Sequence, residues 1–266
     1  MQIQVLGATC SVATAGPVAD ARVPALLLVH GAANDRDAWR DILPLLAGGI
    51  RVFAPDLPGH GLSGGRPIDS IDALADWIIA LIGALELDAC TLGGHSMGSL
   101  AALAAAAKHP EYITRLALLG SAVPMPVSPA LLDAARDTPD AACRMIAEWS
   151  HTSDFVIGRN ENGGHGVWGP GKTLAIMRRN ASTLATDLVN CNDYSNGLDD
   201  AARVNCPTLL LLGRRDRMTP LRNAAPLQEV LGRQASRVEL AGCGHAMMVE
   251  QPAQVAAALR AFVAGK

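Results

Sequence analysis

Aromatic side chains are scarce: three Phe, four Trp and two Tyr make up 3% of the 266 residues. Half of the chain is nonetheless hydrophobic, so alanine and leucine must fill most of a sizeable core. No apolar run approaches the roughly 20 residues needed to span a bilayer. No basic region followed by a long apolar stretch opens the chain, so a secretory signal is not expected. Charge of one sign is also missing. With 22 Lys and Arg against 25 Asp and Glu, the net charge is −3 and no dense basic run occurs. That balance argues against nucleic acid or an anionic membrane as the partner. The six cysteines (Cys10, Cys90, Cys143, Cys191, Cys206 and Cys243) are widely spaced, with no Cys-x-x-Cys pair. Several fall in apolar, strand-like segments, so reduced core thiols and a cytoplasmic location are expected.

What is present is an alternation. From about residue 23, short apolar runs alternate with helical patterns, as in a mostly parallel sheet with crossover helices. Strands are expected at 22–30, 50–56, 89–94, 115–121, 207–213 and 237–241. Helices are expected at 37–46, 71–87, 96–108, 220–231 and 252–263. Residues 2–6 and 11–15 flank a short turn and fit an antiparallel hairpin at the sheet edge. Between Val123 and Val204 the strand pattern stops and helical stretches appear near 130–136, 141–150 and 172–188. The expected organisation is an α/β core over 1–122, a helical cap over 123–204 and the rest of the core over 205–266. The cap contains Gly163–Gly171, too glycine-rich for a regular element, expected as an irregular connection with a lid role as the alternative.

The segment Thr91–Leu100 (TLGGHSMGSL) sets Ser96 between Gly94 and Gly98 where a strand turns into a helix. Such a Gly-x-Ser-x-Gly turn holds the serine strained and exposed at the helix N-terminus. A serine hydroxyl is a weak nucleophile and needs a histidine base oriented by a carboxylate. His245 lies in the glycine-bounded loop after the last expected strand, and Asp216 lies just past the strand ending at Leu212. Both loops fall at the carboxyl end of the sheet, where sites of open α/β folds lie.

The order Ser96, Asp216, His245, together with the elbow, resembles the α/β-hydrolase superfamily over nearly the whole chain from Val23 onward. Two more segments carry the resemblance: Val29–Ala33 (VHGAA) and Asp56–Ser63 (DLPGHGLS), the latter similar to a turn of capped members. The resemblance implies a Ser96–His245–Asp216 triad and an oxyanion hole made by the backbone N–H groups of Ala32 and Met97, with Ala33 as second choice. Ala32 stands where commoner versions carry glycine or an aromatic residue. It implies a small-molecule ester or lactone substrate, no metal, and no organic cofactor. Carbon–carbon hydrolysis of ring-fission diketones and perhydrolysis share the triad. A serine rather than an aspartate at the nucleophile position argues against dehalogenase or epoxide-hydrolase chemistry. A non-catalytic ligand receptor on the same fold is the alternative from another class, and a homodimer is left open.

Other candidates carry plainer readings. Trp149 and Trp168 are candidate pocket liners, with cap packing as the alternative. His30 and His95 read as packing residues, His60 as a turn residue, and His151 and His165 as cap residues. Cys243 reads as a packed small residue. Asp216 is surrounded by Arg214, Arg215 and Arg217, so a solvated ion-pair cluster competes with its triad role. Asp199 and Asp200 are weaker candidates for the acid.

Overall fold

The computed structural model describes residues 1–156 and 169–266. Among the described residues, eight strands form one sheet: β1 (Gln2–Val5), β2 (Ala8–Ala15), β3 (Ala25–Val29), β4 (Arg51–Pro55), β5 (Cys90–His95), β6 (Ile113–Leu119), β7 (Thr208–Gly213) and β8 (Ala235–Leu240). Their spatial order is β1-β2-β4-β3-β5-β6-β7-β8. The β1–β2 hairpin is antiparallel and joins β4 antiparallel, whereas β4 through β8 and β3 pair in parallel. Every residue of β3, β5 and β7 is buried. Such strands read as continuous apolar runs because helices cover both faces.

Strand side chains alternate between the two faces. Leu27, Val29, Leu92, Leu116, Leu118, Leu210 and Leu212 pack with the helices Ile71–Ala84 and Met97–Lys108. Leu26, Leu28, Ala117, Leu119, Leu209 and Leu211 pack on the other face with Trp39, Leu46 and the helix Pro252–Val263. Alanine dominates Met97–Lys108, all of which is buried except Lys108. Its small side chains let this helix lie close under β5 without aromatic filler.

Three expected helices are interrupted, each for a local reason. Residues 37–46 form a 3-10 turn, Arg36–Trp39, and a short helix, Leu43–Leu46. Pro44 has no N–H to donate, and its ring would clash with the carbonyl four residues back in a continuous helix. Residues 220–231 split likewise into Leu221–Ala224 and Ala225–Leu231, with Pro226 in the first turn of the second. Residues 172–188 divide into Gly169–Arg179 and Leu184–Asp193 at Asn180, whose side chain takes the Ile176 carbonyl (3.0 Å) that a continuing helix would give to its N–H, while that N–H turns to the Met177 carbonyl (3.1 Å).

Between β6 and β7 the described chain is helical, adding Pro129–Asp137, Pro139–Trp149, Ser153–Val156 and Gly197–Arg203 to those two. It has its own apolar cluster, including Leu131, Ile146, Met177 and Leu188, which also takes in Ala33 of the core. The expected loop at Gly163–Trp168, with His165 and Trp168, lies outside the described residues, while Gly169–Gly171 open a helix.

Buried polar contacts dock this helical segment on the sheet. Asn180 donates to Asp35 (3.0 Å) and accepts from Gly61 N–H (2.7 Å). His60 is more than a turn residue: Nε2 donates to Asp187 at 2.9 Å and Nδ1 faces the Pro58 carbonyl at 3.0 Å. With acceptors at both nitrogens, the ring satisfies both only as an imidazolium. Burial opposes that charge, but Asp187 outweighs it, so the pKa of His60 is raised. Both side chains are only 2% exposed, and removing one partner of such a pair costs about 3–5 kcal/mol.

A raised histidine pKa stabilises the fold fully below the unfolded value, about 6.5, and that contribution fades as pH climbs through the folded value. The stability gap between wild type and His60→Gln in urea titrations is therefore expected to be widest at about pH 6 and to shrink toward pH 9. A constant gap would contradict a charged His60. Two glycines give opposite expectations. A Cβ on Gly98 would lie 2.4 Å from the Val29 carbonyl oxygen, whereas one on Gly83 meets nothing within 4 Å. Gly98→Ala should destabilise by about 3 kcal/mol or more, and Gly83→Ala should stabilise by about 0.5–1 kcal/mol.

Candidate active site

The parallel pairing of β5 through β8 brings the loops after β5, β7 and β8 to one edge of the sheet. Ser96 sits there with φ 54° and ψ −122°, between β5 and the helix Met97–Lys108. This is a left-handed backbone that a non-glycine residue adopts only when its surroundings enforce it. They do so by backbone contact. A Cβ on Gly94 would meet the Gly98 carbonyl oxygen at 2.1 Å, and one on Gly31 would meet Ser96 Cβ at 3.1 Å. Ser96 N–H donates to the Leu119 carbonyl (3.0 Å), and Ser99 Oγ donates to the Ser96 carbonyl (2.6 Å). The Ser96 hydroxyl makes no cap to its own helix.

His245 Nδ1 lies 2.8 Å from Asp216 Oδ2, with the residues 4% and 6% exposed. The proton shared on that side leaves Nε2 as the basic nitrogen. Asp216 is saturated with donors. Oδ1 accepts from Met218 and Thr219 N–H at 2.8 Å each, and Oδ2 also accepts from Thr219 Oγ1 at 2.7 Å. Burial opposes its charge, but His245 and the Thr219 donors outweigh it and hold the carboxyl down to about 2. Two of the three neighbouring arginines are engaged elsewhere, Arg214 with Glu239 (3.3 Å) and Arg215 with Asp154 (2.8 Å). The ion-pair-cluster alternative for Asp216 is thus not what the geometry favours. Asp200 is engaged with Tyr194 and Arg203.

Three residues that the sequence did not single out hold the His245 loop. Gly120, at φ 54°, leaves room for the imidazole: a Cβ there would stand 3.1 Å from His245 Cε1 and Nδ1. Glu250 accepts from Gly244 N–H (3.1 Å), Thr152 N–H (3.2 Å) and Thr152 Oγ1 (3.0 Å). Burial pushes its pKa up against those donors. Thr219 is the third, through Asp216. One carboxylate in the otherwise apolar run Ala246–Glu250 was the available sign of Glu250. His95, expected to pack, is buried and also makes a polar contact, its Nε2 donating to the His245 carbonyl at 2.9 Å. Burial beside His245 lowers the pKa of His95 to about 3, so it stays neutral.

Ser96, His245, His95 and Ala32 border one cavity of about 240 Å³. Trp149, Met177 and Leu188 contribute apolar walls from the helical segment, and Arg217 contributes a cation. His151 is tied to the Ala147 carbonyl (2.7 Å) and Thr173 (3.2 Å), and burial lowers its pKa to about 4. Among the described residues, the N–H groups of Ala32 and Met97 meet no acceptor. Ala33 is different: its N–H donates to Asp187 Oδ2 at 2.8 Å, which removes it as the second-choice oxyanion donor. His30 bridges the loops, with Nδ1 donating to the Gly31 carbonyl (2.9 Å) and Nε2 accepting from Leu57 N–H (3.0 Å).

No group of three or more His, Cys, Asp or Glu among the described residues is placed to hold a metal ion. Likewise, no described helix is long and apolar enough to cross a membrane. All six cysteines are buried and none is joined in a disulfide. Burial pushes Cys10 up to about 11 and Cys90 up to about 12, which removes their nucleophilic form at neutral pH.

The chain has counterparts in sequence and in fold. A 2-hydroxymuconate semialdehyde hydrolase of Pseudomonas sp. (strain CF600) is 29% identical over 90% of this chain and 86% of its own length. A pimeloyl-[acyl-carrier protein] methyl ester esterase of Aromatoleum aromaticum is also 29% identical, over 91% of this chain and 99% of its own. In fold, the chain matches an enol-lactonase from Burkholderia xenovorans at a TM-score of 0.85, with 21% identity over 99% of this chain and 100% of that one. It matches a thermophilic esterase from Thermogutta terrifontis at 0.84, with 24% identity over 100% and 98%. The sequence model of the alpha/beta hydrolase family matches residues 26–258. With the sheet order, the strained serine and the buried histidine–aspartate pair on one edge, the chain belongs to the alpha/beta hydrolase family.

Proposed function

We propose that this protein is a serine hydrolase that cleaves a small carboxylic ester or lactone through an acyl-enzyme on Ser96. The observation that carries this reading is the strained Ser96 bordering the same cavity as His245, whose Nδ1 is held by the buried Asp216. Ser96 Oγ attacks the acyl carbonyl carbon and gives its proton to His245 Nε2. Asp216 stabilises the imidazolium. The new oxyanion accepts hydrogen bonds from the N–H groups of Ala32 and Met97. Collapse breaks the bond to the leaving alkoxide, which takes the proton from His245. Water, deprotonated by His245, then attacks the ester carbonyl of the acyl-enzyme and restores Ser96.

Residues 123–204 act in this reading as a cap that supplies the apolar wall around Trp149. A cavity of about 240 Å³ lies at or below the small end of ligand pockets, which favours short acyl groups. The similarity to a 2-hydroxymuconate semialdehyde hydrolase supports a second reading, carbon–carbon hydrolysis of a vinylogous diketone, in which the same serine attacks a ketone carbonyl. A ligand receptor on this fold would have no need of a charged Asp216 holding a histidine at the serine's cavity.

On p-nitrophenyl esters, turnover is expected to fall from acetate and butyrate to octanoate. A preference for octanoate would contradict the small-pocket reading, and cleavage of the diketone alone would favour the second. Ser96→Ala should lose at least about 10³-fold in kcat with an unchanged thermal melt, and Asp216→Asn about 10²–10⁴-fold in kcat. Full activity in Ser96→Ala would refute the mechanism. Because Asp216 stays ionised down to about pH 2, it should add no step of its own to the pH–rate profile between 5 and 9.

A further inference from the structure

Asp187 is a carboxylate where an apolar residue belongs. It lies on the buried stripe Leu184, Asp187, Leu188, Cys191 of the helix Leu184–Asp193 and is 1% exposed. Three groups converge on its Oδ2: Ala33 N–H at 2.8 Å, His60 Nε2 at 2.9 Å and Thr183 Oγ1 at 3.1 Å. Two of the three donors come from core loops 127 and 154 residues distant in sequence.

The contact to Ala33 has a consequence for its neighbour Ala32. A trans peptide is planar, with its carbonyl and N–H on opposite edges, so fixing one edge aims the other. In the Gly31–Ala32 peptide, the carbonyl accepts from His30 Nδ1 (2.9 Å) and Asn34 N–H (3.2 Å), both of the same loop, so the Ala32 N–H on the opposite edge points as the loop is held. In the Ala32–Ala33 peptide, the carbonyl accepts from Asn34 Nδ2 (2.9 Å) and the N–H is held by Asp187. Ala33 itself has φ 48°, a conformation an alanine leaves when nothing holds it. Asn34 is local and moves with the loop. Asp187 does not, since it is anchored in a helix and paired with His60.

We propose that Asp187 is a positioning residue for the oxyanion hole: from the helical segment it locks the strained Ala33 peptide and thereby aims the Ala32 N–H at the acyl oxygen. The helical segment then does more than shape the pocket, because catalytic geometry in the core depends on its being docked. This rests on the reading of Ser96 as nucleophile with Ala32 N–H as an oxyanion donor.

The test compares an alkyl trifluoromethyl ketone, which Ser96 converts to a tetrahedral oxyanion adduct, with the matching secondary alcohol, which forms no adduct. Two variants are used. Asp187→Asn keeps the shape and removes the charge. Replacing Ala33 by lactate, through translational incorporation of the hydroxy acid, exchanges its single N–H for an ester oxygen and leaves Asp187, His60 and Thr183 in place.

Each variant should lose about 10- to 100-fold in kcat for the butyrate ester, with KM within about threefold, since one oxyanion donor is worth about 10²–10³ and is here displaced rather than deleted. Ketone affinity should weaken by a similar factor while alcohol affinity stays within about threefold. If Asp187→Asn does not fold, the lactate variant decides alone. Variants that fold and keep wild-type ketone affinity and kcat overturn the role of Asp187. A wild type that neither hydrolyses the ester nor binds the ketone overturns instead the reading of Ser96.

Discussion

Where β5 meets the helix Met97–Lys108, three backbone segments touch with no room for a side chain. Gly94 lies against the Gly98 carbonyl, Gly98 against the Val29 and His30 carbonyls, and Gly31 against Ser96. That crowding forces Ser96 to φ 54°. It also ties the serine's position to the loop after β3, which carries Ala32. The alanine-rich helix serves the same constraint, because larger side chains would hold it away from the sheet. The site is thus a consequence of packing between backbones, and its precision comes from core elements rather than from flexible side chains.

Around that contact, buried carboxylates make directional bonds that the apolar core cannot. Asp216 orients His245, Glu250 holds Gly244 to Thr152, and Asp187 ties His60 and Ala33 to a helix inserted between β6 and β7. Each accepts several donors, which is the condition under which a buried carboxylate is tolerated. Two of them join the core to the helical segment. The segment is therefore fastened at the loops that border the cavity, in addition to its own apolar cluster.

Much of this was legible in the sequence. The leucine runs of β3 and β7 marked buried parallel strands, and the spacing of Gly94, Ser96 and Gly98 named the elbow. The loops carrying Asp216 and His245 were found from their places after strands. Helix ends were less legible where proline interrupts an apolar pattern, as at Pro44 and Pro226, because the period alone continues through them. Ala32 and Ala33 could not be separated by sequence, since the difference is one N–H bonded to a residue 154 positions away. Asp187 did leave a trace, a charge on the apolar stripe between Leu184 and Leu188, but its meaning depended on what the helix faces. His60 likewise reads as a turn residue until its partner is in view.

Intact-protein and peptide mass spectrometry after mixing with a slowly deacylating p-nitrophenyl ester and quenching in acid addresses the central claim directly. One acyl increment per chain, carried by the peptide containing Ser96, is the expected result. An increment on any other residue, or continued turnover with no covalent species at all under burst conditions, would contradict an acyl-enzyme on Ser96.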